Sequence, residues 1–199
     1  MDYPRNPADT QLPILQVLRD RWSPRAMSGE VIPQEQIDTM FEAARWAPSS
    51  SNMQEWRYIY ATKDDGADRA TLESLLVEGN SWAKSAYLLI IAFADSKRTR
   101  SDGTMVDNPY GMHDTGAASL SLVLQATALG LVSHQMAGFD REKANELLGV
   151  PLQFVPASMI AVGKPADPSQ LNEKQQEMEK APRTRKAQCE FVFRGKWKI

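Results

Sequence analysis

The sequence predicts an α/β or α+β fold built around a central sheet. Three features carry that expectation. Helical and extended patterns interleave along the chain. Residues 86–94 (AYLLIIAFA) read as a strand buried on both faces. Residues 115–129 read as a helix that is apolar nearly all round (Leu120, Leu122, Val123, Leu124, Leu129), with small residues at Ala117, Ala118 and Ala126, which suits a central core position. The 199 residues are the length of one domain, and 42% hydrophobic with 24% charged residues excludes wholesale disorder.

The remaining elements follow in order. Residues 1–12 mix Pro, Asp, Asn and Thr and predict a flexible arm. A short helix over 14–21 places Ile14, Leu15 and Leu18 on one side and is stopped by Ser23-Pro24, because a residue before proline is pushed out of the helical region. A second helix starts after Ile32 with Pro33 in its first turn and buries Ile37, Met40, Phe41 and Ala44. It ends near Ala47-Pro48. Residues 56–61 (WRYIYA) predict a strand, 68–76 a helix, and 96–114 a long polar loop of the kind that forms lids or binding loops. Gly130 caps the central helix, a short helix over 141–148 is closed by Gly149, and 158–162 predict a strand. Residues 170–180 predict a charged surface helix, and 189–193 a last strand within a basic extension, 180–199. There is no internal repeat.

Composition narrows the function classes. A net charge of −2, from 23 basic and 25 acidic residues, argues against a nucleic-acid or anionic-membrane coat. The lone Cys189 fits a reducing compartment, and with His113 and His134 it leaves too few ligands for a zinc site, so no metal is expected. Met1-Asp2-Tyr3-Pro4-Arg5 does not resemble a signal peptide, and the apolar run at 86–94 is far shorter than the ~20 residues of a membrane span. The expected setting is cytoplasmic, with no membrane partner. No Gly-x-Gly-x-x-Gly follows a strand, Gly163-Lys164 lacks the upstream glycine of a P-loop, and no Gly-x-Ser-x-Gly elbow is present. The chemistry therefore belongs to a bound group rather than to a side-chain nucleophile.

Two polar clusters stand out. In Arg21-Trp22-Ser23-Pro24-Arg25 two guanidinium groups bracket a hydroxyl, a combination that grips phosphate. Those five residues alone favour a solvated basic turn. In 47–56 (APSSSNMQEW) the hydroxyls and the amides of Asn52 and Gln54 suit the edge of a heteroaromatic ring. Alone, that segment reads as a loop whose serines satisfy their own backbone.

Taken together, Arg-x-Ser-x-Arg followed by Ala-Pro-Ser-Ser-x-Asn-x-Gln-x-Trp resembles the flavin-dependent nitroreductase family. The likeness continues through Gly79-Asn80-Ser81-Trp82, Asp114-x-Gly116-Ala117-Ala118, Ala128-Leu129-Gly130-Leu131, Ala137-Gly138-Phe139-Asp140, Leu147-Leu148-Gly149-Val150-Pro151 and Ala161-Val162-Gly163-Lys164-Pro165, to Arg183-Thr184-Arg185. It runs from about Leu18 to Trp197. The resemblance implies an α+β homodimer with a central mixed sheet flanked by helices, intertwined termini with an exchanged C-terminal strand, and two FMN sites at the subunit interface. It implies one FMN-binding domain over 1–199, with 180–199 lying on the partner. The phosphate ligands match Arg21, Ser23, Arg183 and Arg185, with Trp22 in the same motif, and Arg25 matches a residue near the pyrimidine edge of the flavin. Pro48, Ser49, Ser50, Asn52 and Gln54 match a loop that reaches the flavin held mainly by the other subunit. Asn80 matches a ring-edge contact, and Gln135, Met136, Ala137 and Gly138 match the turn whose backbone runs along the ring. Tyr110, Met112 and His113 border the electron acceptor in this reading.

The implied activity is ping-pong electron transfer from NADH or NADPH to a nitroaromatic, quinone or other conjugated small molecule. A specialised oxidase or dehalogenase of the same fold, or a non-catalytic flavin-binding regulator, is the alternative. Glu55 stands where the family often has proline, and Ala137 where some members carry a glutamate beside the flavin.

Overall fold

The apolar run at 86–94 becomes the strand Leu88–Asp95, and every larger element of the fold is arranged around it. The computed structural model describes residues 5–197. In chain order the elements are α1 (Gln16–Asp20), β1 (Met27–Ser28), α2 (Gln34–Arg45), β2 (Trp56–Thr62), α3 (Gly66–Ser74), β3 (Leu88–Asp95), β4 (Lys97–Thr99), β5 (Met105–Asp107), α4 (Gly111–Ala128), β6 (Val132–Met136), α5 (Arg141–Leu147), β7 (Phe154–Pro165) and α6 (Glu173–Lys180). Short 3-10 turns occupy Ser50–Asn52, Glu78–Ser85, Pro168–Gln170 and Gln188–Glu190.

β3 lies between β2 and the long β7, which also pairs with β6 and, at its end, with β1. Registers such as Tyr58↔Ala92, Ile90↔Ile160 and Gln135↔Ile160 fix the alignment. Every described pairing in this sheet is antiparallel, so the expectation of a mixed sheet is corrected within the chain. Alternation along β3 and β7 then makes two cores. Leu88 and Ile90 with Ile160 and Val162 face α2 and α4, meeting Ile37, Met40, Leu122 and Val123. Leu89, Ile91 and Phe93 with Met159 and Ala161 face the other way, onto Leu72, Trp82, Phe139 and Ala144. The result is a sheet covered by helices on both faces, an α+β arrangement.

Several expectations change in detail. The loop expected over 96–114 contains the hairpin β4–β5, and α4 begins at Gly111 rather than Thr115. Met112 and His113 therefore sit on the first turn of a helix, with Tyr110 at its cap. β6 was not expected as a strand. No strand forms at 189–193; the chain makes a 3-10 turn at Gln188–Glu190 and pairs with no described strand. Residues 1–4 of the expected arm lie outside the described residues. The rest of it is tied down: Asn6 Nδ2 donates to the Ala181 carbonyl at 2.9 Å, and Ala8 N–H to the Arg19 carbonyl at 2.8 Å.

Candidate functional site

The two halves of the basic signature meet. Arg21, Trp22, Ser23 and Arg25, from the turn between α1 and β1, line one open cleft of about 240 Å3 together with Arg183 and Arg185, which follow α6. Arg21 Nη1 donates to Ser23 Oγ at 3.1 Å. Arg183 Nη1 donates to the carbonyls of Asn6 (3.0 Å) and Arg19 (3.1 Å), which anchors the extension against the start of the chain. Burial lowers the pKa of Arg21, and the neighbouring charges of Arg183 and Arg185 lower it further. Burial and Arg185 do the same to Arg183. Mutually repelling guanidinium groups around a hydroxyl form a site for an oxyanion, because a bound dianion converts each repulsion into an attraction.

One wall of this cleft continues toward β6. The Arg25 guanidinium lies 6.0 Å from the centre of the Trp82 ring, whose other neighbour is the His134 ring at 4.6 Å. His134 Nδ1 is 3.0 Å from the Pro24 carbonyl, which can only accept, so this nitrogen carries the proton. Beyond β6, Asn80 Nδ2 donates to the Gly138 carbonyl at 2.8 Å, which joins two of the expected ring-contact residues. A Cβ on Gly138 would stand 2.8 Å from that Asn80 nitrogen, so any larger residue here would push the Asn80 amide away from its place. Gln135 and Ala137 are exposed on this turn, whereas Met136 is buried in the core and can offer only its backbone.

The serine loop is a second, separate structure; none of residues 48–54 lines the arginine cleft of its own chain. Pro48, Asn52 and Gln54 are exposed, and Ser49 and Ser50 are half-buried. Ser51, Asn52 and Gln54 all adopt positive φ (52°, 55° and 53°), a left-handed conformation that costs non-glycine residues on the order of 1–3 kcal/mol each. Side-chain acceptors hold it: Gln54 N–H donates to Ser49 Oγ at 3.0 Å, and Ser50 N–H to Asp114 Oδ2 at 2.7 Å. Asp114 Oδ1 in turn meets His113 Nδ1 at 2.7 Å. Burial raises the Asp114 pKa, but the bonds from His113 and the Ser50 amide outweigh it and hold the carboxyl below its usual range. Tyr110, Met112 and His113 are exposed beside this loop.

Sequence reasoning missed five contributors. Asp114 was noted only as a motif residue, yet it anchors the serine loop. Trp82 and His134 connect the cleft to β6, and only the tryptophan lay in a quoted motif. Glu179 and Asn6 also line the cleft, and no pattern marked either. Among the described residues, no group of three or more His, Cys, Asp and Glu side chains is placed to hold a metal, and no helix is long and apolar enough to cross a membrane.

The buried histidine gives a pH signature. Burial, the main cause, with help from the Arg25 and Arg21 charges, pushes the His134 pKa down from 6.5 to about 4. Between those values the unfolded chain binds the extra proton, so its stabilising contribution is complete above pH 6.5 and lost as pH falls toward 4. Thermal melts of the wild type should show a loss approaching ~1.4 kcal/mol per pH unit in that window. His134→Asn, which keeps a donor for Pro24, should lose stability less steeply; parallel curves would remove His134 as the cause.

The geometry has close relatives. A crystal structure described as that of an oxidoreductase containing FMN superposes with a TM-score of 0.92 at 35% identity, covering 100% of this chain and 99% of that one. A 15.4 kDa protein of Mycolicibacterium smegmatis is 36% identical over 138 residues, 68% of this chain and 90% of the relative. The FMN reductase (NAD(P)H) of Bacillus subtilis is 30% identical over 170 residues, 78% of this chain and 67% of the relative. The model of the Nitroreductase family matches residues 18–81 and 67–164, and the chain belongs to that family.

Proposed function

We propose that this protein is an FMN-dependent oxidoreductase that takes electrons from NADH or NADPH and passes them to a nitroaromatic, quinone or other conjugated small molecule. The observation that carries this reading is the convergence of Arg21, Ser23, Arg183 and Arg185 on one cleft, a donor set for a single phosphate. With no dinucleotide fingerprint in the sequence, that set fits FMN and not FAD. The names of the Bacillus relative and of the superposed structure point the same way. When bound, FMN supplies reversible two-electron chemistry at N5, oxidising the nicotinamide in one half-reaction and reducing the acceptor in a second.

The chain's own residues bind and orient. Arg21, Ser23, Arg183 and Arg185 would hold the phosphate, with Trp22 closing the cleft. Arg25 would set positive charge at the pyrimidine edge. Asn80 fixes the turn at Gly138, so that this turn, with Gln135, Ala137 and the Met136 backbone, would border the ring. Pro48, Ser49, Ser50, Asn52 and Gln54 would offer neutral donors and acceptors, while Tyr110, Met112 and His113 would line the acceptor's approach.

The same reading makes the protein a homodimer, with 1–199 acting as one FMN-binding unit. Of the extension expected to lie on the partner, Ala181, Arg183 and Arg185 stay with their own chain, and the part after Arg185 would lie on the partner. α1 buries none of its residues, and Leu15 is 70% exposed. Phe191, Val192 and Trp197 are exposed on the extension. Apolar surface of this kind calls for cover. A helix of 12 residues, α2, separates Arg25 from Pro48 and spans about 18 Å at ~1.5 Å per residue. A two-fold partner lets the clamp of one chain and the serine loop of the other meet at one site.

Three outcomes follow. The purified protein should be yellow with FMN, and anaerobic mixing with NADH or NADPH should bleach the flavin within seconds in a stopped-flow spectrometer; bound FMN that neither donor reduces would point to a binding protein. Arg21→Ala should weaken FMN binding by roughly ten- to a hundredfold, the loss of about 1.5–3 kcal/mol for a charge-assisted bond. Lys143→Ala, an exposed position on α5 outside the cleft, serves as the control, and equal affinity in the two variants would dismiss the assignment. Mixing Arg21→Ala with Asn52→Ala under subunit exchange should restore part of the FMN binding that each parent lost, and no recovery after proven exchange would refute shared sites.

A further inference from the structure

α6 reads as a charged surface helix, yet its Glu179 side chain is only 1% exposed. Glu179 Oε1 accepts the Arg25 backbone N–H at 2.6 Å and lies 3.9 Å from Arg25 Nη1. Oε2 makes no hydrogen bond to any described residue. Glu179 is one of the residues that line the cleft of the phosphate-binding arginines, with its carboxyl buried just behind the wall. Of the charged residues lining the cleft, Arg25 is the one paired with this carboxylate, while Arg21 from the same turn and Arg183 and Arg185 from the segment after α6 line the cleft around it; Asn6, from the start of the chain, is neutral. A carboxylate at the wall of a cleft shaped for a dianion opposes that dianion unless its own charge changes.

We propose that Glu179 is a proton-coupled positioning residue of the phosphate clamp, ionised while it holds the Arg25 turn and protonated once a phosphate dianion joins the arginines. This rests on the FMN reading. The proton comes from solvent and ends on the Glu179 carboxyl, and no covalent bond to the phosphate forms or breaks. The dianion adds a like charge to the cleft and competes for the guanidinium charge that favours the carboxylate, and both effects favour the neutral acid. Burial already raises the Glu179 pKa, against the pull of the Arg25 amide, then of the Arg25 charge and of the Ala26 amide. The unpaired Oε2 is free to carry the proton. Because binding raises the affinity for that proton, FMN affinity rises as pH falls through the window between the free and bound pKa values.

FMN titrations of the full-length apoprotein, read by flavin fluorescence from about pH 5 to about pH 8, test this against Glu179→Gln. Glutamine keeps an acceptor for the Arg25 amide and cannot ionise. The ratio of wild-type to variant Kd should rise with pH by up to about tenfold per unit, while titration of the FMN phosphate itself cancels in the ratio. With riboflavin, which has no phosphate, the ratio should stay flat. A flat ratio with FMN overturns the proposal and leaves the FMN reading intact, whereas no FMN binding at any pH overturns both. Should the variant fail to fold, calorimetry of the wild type in buffers of different ionisation enthalpy decides. At about pH 7 the free phosphate is already mostly a dianion, and net proton uptake on binding is expected; none, or release, overturns the proposal.

Discussion

Guanidinium groups from opposite ends of the chain, Arg21 near the start and Arg183 and Arg185 near the end, are held in one cleft against their mutual repulsion. That constraint organises much of what surrounds them. Arg183 reaches the carbonyls of Asn6 and Arg19, so the extension closes over the first residues of the chain. Glu179 fixes the Arg25 amide, and the next residues enter β1, which pairs with the end of β7 through Met27↔Pro165. The turn that carries Arg21–Arg25 is thus tied both to α6 and to the sheet. A repulsive cluster persists in a fold only where its surroundings over-determine it, and an anion relieves the repulsion.

The serine loop shows the same logic in backbone form. Three non-glycine residues in the left-handed region would relax if the loop were free. Asp114 prevents this by accepting the Ser50 amide from the first turns of α4, and α4 is itself locked by Ala118, Leu122 and Ala126 in the core beneath the sheet. The loop is therefore tied to the central helix. Strain, anchor and core form one chain of cause that presents Asn52 and Gln54 to solvent, with Ser49 bracing the Gln54 amide.

Much of this was legible in the residues. The uniform apolarity of 86–94 located β3, and the spacing of Ile37, Met40 and Ala44 located α2, because burial on one or both faces leaves a period in the sequence. The order of the small motifs located both halves of the site. β6 was not legible: Val132–Met136 carries Ser133 and His134 among its apolar residues, so a buried strand looks polar. α4 was expected to begin late because Gly111 reads as a breaker, whereas a Cβ there would collide with the Asp95 carbonyl. The strand expected at 189–193 fails for a different reason. An apolar segment becomes a strand only when it pairs with an edge that can receive it, and this one pairs with no described strand. Glu179 was hidden because the burial of one charged residue leaves no period at all.

The central claim is that one phosphate binds where the two basic segments converge and that the serine loop of a second subunit completes the site. A crystal structure of the protein with FMN tests it most directly. The account predicts the phosphate among Arg21, Ser23, Arg183 and Arg185 of one subunit, with residues 48–54 of the other subunit against the ring. A phosphate bound outside that cleft, or a ring enclosed by a single chain, would contradict it.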